Sequence, residues 1–183
     1  MSVITLLRIG EFPGLLLEGL RAGFSGTFST RCEELQVTLD PAFAYHAERQ
    51  QYHSTELLAR LEKYTRPQAW RVLGVTEADL YIPILTFVFG EAQMGGRCAV
   101  VSTHRLHQEL YGLPADDGLL QERLLKEAVH ELGHTLGLAH CQDYGCVMAP
   151  SHGVEWIDIK GSGFCAECRL RFGRQEAPRS RQE

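Results

Sequence analysis

Three histidines and one glutamate at fixed spacing carry the chemistry this chain could do: His130-Glu131-x-x-His134-x-x-Gly137-x-x-His140. On a helix, His130 and His134 lie about 40° apart round the axis, so both imidazoles project from one face. Two nitrogens so placed can bind one zinc ion, and Glu131 sits beside them as a candidate general base. Gly137 is where the helix should stop, because glycine takes the left-handed cap conformation freely. The chain then doubles back and brings His140 to the same ion from a loop. Three protein ligands leave a fourth position for water, which is the arrangement of a catalytic zinc.

A second ligand set follows at once, in Cys141-x4-Cys146 and Cys165-x-x-Cys168. Four thiolates in two close pairs match a closed tetrahedral zinc with Zn–S distances of about 2.3 Å, and a closed site is structural. Four buried free cysteines are the competing reading of these thiols, with an iron–sulfur cluster ranked behind it. Two zinc ions per chain are therefore expected, one catalytic and one stapling the loop between Cys146 and Cys165. Cys32 and Cys98 read as small core residues.

The elements that must position these groups follow from periodicity. Ser2 to Ile9 is an apolar, β-branched run and predicts a buried strand. Pro13 can open a helix with Leu15, Leu16, Leu17 and Leu20 as its apolar stripe before Gly23. Glu34 to Asp40 predicts a half-buried strand with Leu35, Val37 and Leu39 inward. Residues 41–53 show no period and read as loop. Ser54 is a suitable N-cap for a helix through Leu57, Leu58 and Leu61 to about Tyr64. Trp70 to Val75 reads as strand, and Thr76-Glu77-Ala78-Asp79 resembles a capping box opening a short helical turn.

Ile84 to Phe89 and Cys98 to Thr103 predict two further strands, joined antiparallel through the glycines between Gly90 and Arg97. His104 to Leu110 reads as a short irregular helix. From the break at Pro114 to Gly118, one helix carries Leu119, Leu120, Leu124, Ala128 and Val129 into the zinc motif and ends near Leu136. The sequence then turns irregular until a last short helix in Gly163 to Phe172. Helices interleaved with strands before one long helix indicate an α+β class, a mixed twisted sheet covered by helices.

The length of 183 residues and the 44% hydrophobic content suit one globular domain. Its last residues, about 173–183, are expected to form a frayed tail. No apolar run approaches the ~18 residues of a membrane span. Met1 to Ile9 lacks a small-residue cleavage site, so neither a secretory signal nor a removable pro-segment is expected, and the location expected is cytoplasmic. Disulfides are then not the first reading of the six cysteines. The net charge of −5 gives no general reason to expect nucleic acid or an anionic membrane as partner. Arg169, Arg171, Arg174, Arg179 and Arg181 do gather late, in what reads as a solvated tail after Gly173.

His130 to His140 resembles the metzincin zinc signature, and Met148 is similar to the methionine of the metzincin Met-turn, a hydrophobic floor beneath the metal. The cysteine beside the third histidine, Cys146-Val147-Met148 and the final Cys-x-x-Cys narrow the resemblance to the archaemetzincins. It implies a zinc metallopeptidase acting on peptides or proteins, with a cleft between an upper sheet-and-helix part over about 1–137 and a lower irregular part over about 138–172. No tyrosine follows Met148-Ala149-Pro150 to serve as the extra ligand of some metzincins. A monomer is expected, with Cys98 to Thr103 or Ile84 to Phe89 as the outer strand that pairs with an extended substrate. Two rivals stand beside this reading: a zinc-stabilised binding module with a vestigial site, and a protease acting on DNA-bound proteins through the basic tail.

Overall fold

The structure, a computed structural model, describes residues 3–176. The first half of the chain forms β1 (Val3–Ile9), α1 (Gly14–Phe28), β2 (Arg31–Leu39), β3 (Tyr45–His46), β4 (Gln51–His53) and α2 (Ser54–Leu61). Next come β5 (Ala69–Thr76), β6 (Leu80–Tyr81), β7 (Gly90–Ala92) and β8 (Cys98–Ser102). The helices α3 (Asp117–Thr135), α4 (Val154–Ile159) and α5 (Ala166–Glu176) complete it.

Five strands make one mixed sheet in the order β2-β1-β5-β8-β7, parallel except for β7, which pairs antiparallel with β8 at the edge. Strands buried on both faces need continuous apolar runs, and β1, β5 and β8 supply them. Leu17, Leu20 and Phe24 of α1 and Leu124, Ala128 and Leu132 of α3 fill one face. Leu57, Leu58 and Leu61 of α2 fill the other. A small second sheet, β3-β4-β6, lies beside α2.

Several expectations are corrected. Ile84 to Phe89 is no strand: beyond one isolated bridge at Val88 it runs as turns, with Ile84 86% exposed. The edge strand is instead Gly90–Ala92, which the sequence places in the connection. Residues 41–53 hold a two-strand hairpin rather than only loop. Val37 is 47% exposed while Leu35 and Leu39 are buried, because the β1–β2 register shifts between Leu6 and Arg8 and breaks the alternation.

Leu15 is also exposed, and α1 runs through Gly23 because Phe24 and Phe28 continue its buried stripe. Ser54 is the first residue of α2 and not its cap; its hydroxyl donates to the Tyr81 carbonyl. Thr76 to Asp79 forms no helix, since the Thr76 hydroxyl accepts from the Ala78 N–H and the chain proceeds to β6. The region read as irregular after His140 contains α4. The last helix extends to Glu176, into the segment expected to fray, while Arg179 and Arg181 lie outside the described residues.

The long helix matches its expectation. The Asp116 carboxylate accepts from the Leu119 N–H at 2.9 Å and caps α3. Gly137 adopts φ +77° just past the helix end, the left-handed turn that sends the chain back towards His140.

Candidate active site and metal centres

Helix α3 carries His130, Glu131 and His134 to the floor of a cleft of about 550 Å³. Residues 85–92 form one wall of that cleft, and Pro150, Ser151 and His152 the other. The turn after Gly137 brings in His140, so that the imidazole centroids of His130, His134 and His140 lie 4.6–5.3 Å apart.

Tautomers are set by backbone carbonyls. His130 Nδ1 donates to the Val147 carbonyl and His134 Nδ1 to the Leu138 carbonyl, both at 2.8 Å. Each Nε2 is then left with a lone pair, and the two Nε2 atoms face one another at 3.0 Å. Two converging lone pairs repel unless a cation sits between them, so this donor set fits zinc. Burial, with Lys160 next in importance at His130 and His140, pushes all three imidazoles below the ordinary histidine range, which keeps them neutral and ready to ligate. Met148 is fully buried and packs against Gly133, on the turn of α3 between His130 and His134.

Glu131 is 6% exposed. Burial pushes its carboxyl well above the usual carboxylate range, Glu127 adds to the push, and Lys160 opposes it. Positive charge at the imidazoles would draw it back down, towards the range a general base needs. Gly90 matters to this residue in a way the sequence did not reveal. A Cβ there would lie 2.7 Å from Glu131 Cγ and 2.6 Å from the Val100 carbonyl oxygen. The edge strand thus runs directly against Glu131.

The four cysteines Cys141, Cys146, Cys165 and Cys168 also converge, with their sulfurs all within 4.8 Å of one another. Cys141 and Cys165 Sγ are 3.7 Å apart, close to the ~3.8 Å edge of a tetrahedron with 2.3 Å Zn–S bonds. Backbone N–H groups point at the sulfurs: Cys165 and Met148 donate to Cys146, and Cys168 donates to Cys165. That last N–H holds the Cys165 thiol below its ordinary range, whereas burial raises Cys146. Such donors stabilise thiolates, so this set fits a metal as well. The remaining two cysteines stand apart; burial pushes Cys32 up to about 12 and Cys98 up to about 11, as inert thiols.

The expected outer strand needs correction, since Cys98–Ser102 is an interior strand and residues 84–89 are not a strand. β7 is the edge that faces the cleft. Sequence reasoning also missed Glu127 and Lys160, a buried ion pair one turn before Glu131, because no local signal marks it.

Comparison with known proteins agrees with this geometry. Residues 40–174 match the description Peptidase family M54. The chain is similar to the archaemetzincin of Pyrococcus furiosus, 47% identical over 173 residues that cover 91% of this chain and 90% of that one. Among solved structures it is similar to a zinc-dependent peptidase from Methanocorpusculum labreanum, with a TM-score of 0.84, 31% identity, and coverage of 92% and 99%. The archaemetzincin of Archaeoglobus fulgidus, complexed with malonate, gives a TM-score of 0.78 and 37% identity with coverage of 93% and 99%.

Proposed function

Because the chain belongs to peptidase family M54 and is a zinc metallopeptidase of the archaemetzincin type, we propose that His130, His134 and His140 hold its catalytic zinc and that Glu131 is its general base. The observation that carries this reading is the pair of Nε2 lone pairs converging at 3.0 Å beside a buried carboxyl. Zinc held there by the three imidazoles would supply Lewis acidity to a water and to the scissile carbonyl.

The chain's own residues do the rest. The Val147 and Leu138 carbonyls fix the imidazoles in the ligating tautomer. Glu131 takes a proton from the attacking water and returns it to the leaving amine. β7 offers its free edge, and an extended peptide can add to it as a further strand. The substrate is accordingly a peptide or protein.

A second zinc on Cys141, Cys146, Cys165 and Cys168, giving two ions per chain, is supported by the tetrahedral spacing of the sulfurs. A four-thiol site also suits a reducing compartment such as the cytoplasm. No helix among the described residues is long and apolar enough to cross a membrane. The working unit we propose is a monomer, since one chain supplies every ligand and the base.

Glu131→Gln tests the assignment. It should keep its zinc and lose about 10²–10⁴ in turnover on a peptide library, as for removal of a general base. His134→Ala should lose the catalytic zinc as well. Wild-type turnover in Glu131→Gln would remove Glu131 from the role of general base and place proton transfer on another group.

A further inference from the structure

Behind the cleft, on the β3–β4 hairpin and the start of α2, a third group of side chains brings metal-ligating atoms together. Glu56 Oε1 lies 3.1 Å from His53 Nδ1 and 3.6 Å from His46 Nε2, and the three ligand atoms fall within 4.8 Å of one another. Zinc bonds of about 2.0–2.1 Å at tetrahedral angles separate neighbouring ligand atoms by about 3.3 Å, so one ion fits among them with little movement. We propose that His46, His53 and Glu56 form a third, solvent-accessible site for a divalent transition metal, which fastens the hairpin to α2.

Packing holds the ligands in place. The His53 ring stacks on buried Tyr81 at 5.3 Å, and His46 meets the same ring edge-on at 5.5 Å. His46 and His53 come from paired strands, and Glu56 stands in the first turn of the helix that follows His53. Two imidazoles and one carboxylate select zinc, cobalt, nickel or copper over the oxygen-seeking magnesium and calcium.

The site joins the two segments that grip the cleft wall. Arg49, in the hairpin, donates to the Leu85 and Thr86 carbonyls at 2.9 and 3.1 Å. At the start of α2, Thr55 donates to Glu91 on β7, and the Ser54 hydroxyl touches the same carboxylate. An ion bridging hairpin and helix therefore braces both grips at once. The site is independent of the hydrolytic assignment, because none of its ligands lines the cleft.

Equilibrium dialysis of the full chain against micromolar Zn²⁺, with metal counted per chain, tests this. The wild type should hold one ion more than His46→Ala, His53→Ala or Glu56→Gln, and the same difference should persist in a His134→Ala background. Zn²⁺ should also slow amide exchange over residues 45–56 in the wild type and not in Glu56→Gln. Glu56→Gln keeps the shape of a half-exposed side chain, so it stays informative if His53→Ala unfolds. Equal metal content in the wild type and folded variants would overturn the proposal. Failure of the peptidase reading would appear instead in the turnover of Glu131→Gln, with this difference untouched.

Discussion

Lys160 Nζ lies 2.8 Å from Glu127 Oε1, with the two side chains 1% and 4% exposed. The same ammonium donates to the Ala149 carbonyl at 3.2 Å, the residue after Met148. One buried cation thus joins α3, a turn before Glu131, to the segment beneath the imidazoles. Arg123 of α3, paired with Asp158 of α4 through two contacts of 2.7 and 2.6 Å, ties α3 to the helix that Lys160 follows.

Lys160→Met should destabilise the fold by about 3–5 kcal/mol, because Glu127 would be left as an uncompensated buried charge. The double variant Lys160→Met/Glu127→Leu should recover much of that loss. Equilibrium urea unfolding of wild type, both single variants and the double variant measures the coupling. A double variant as unstable as the sum of the singles would show that the two residues act separately.

Gly90→Ala should lower both stability and turnover while leaving the metal content unchanged. The added methyl would meet the Val100 carbonyl oxygen, which is held in the sheet and cannot swing aside, and would press on Glu131. Overpacking of this kind costs about 1–3 kcal/mol. Elemental analysis beside kcat separates a displaced base from a lost ion, and unchanged kcat in Gly90→Ala would dissociate the edge strand from the chemistry.

Cys165→Ser should lower the melting temperature in zinc-containing buffer, since the segment from Cys146 to Cys165 loses its staple, while Glu131→Ala should melt close to the wild type. Mild chelation should empty the open three-histidine site before the closed thiolate site. Simultaneous loss of both metals at the mildest chelation would remove the distinction.

Asp79 ties the hairpin to the segment after β8. It accepts from Gln51 at 3.0 Å and from Arg105 at 2.8 and 2.6 Å. Burial alone would raise its carboxyl, but the hydrogen bonds from Arg105 and Gln51 outweigh it and hold the carboxyl below the usual carboxylate range. A carboxyl depressed in the folded state contributes stability above its unfolded pKa, near 3.9, and loses that contribution as pH falls through the lower folded value. Asp79→Asn should therefore be less stable than the wild type at pH 7, with the gap closing in acid below about pH 4. Urea midpoints across that range would show it, and a constant gap would assign the loss to packing.

The candidate site of this chain was legible because it is local. His130 and His134 share one helix face by the helix period alone with Glu131 beside them, Gly137 stops that helix through its own dihedral freedom, and the cysteine pairs declare themselves by short spacing. The buried parallel strands were legible for a similar reason, since a strand covered on both faces must be apolar throughout. Tertiary structure decided what depends on partners distant in sequence. Ile84 to Phe89 has the composition of a strand, yet the place beside β8 is taken by Gly90–Ala92, whose small Gly90 is what fits against Glu131 and the Val100 carbonyl. Val37 faces outward because the register shifts against β1, and Glu127 finds its countercharge 33 residues away. His46, His53 and Glu56 meet only because a hairpin folds back to the start of α2. Periodicity reports which face of an element is apolar; the neighbour that covers that face is chosen by the packing of the whole chain.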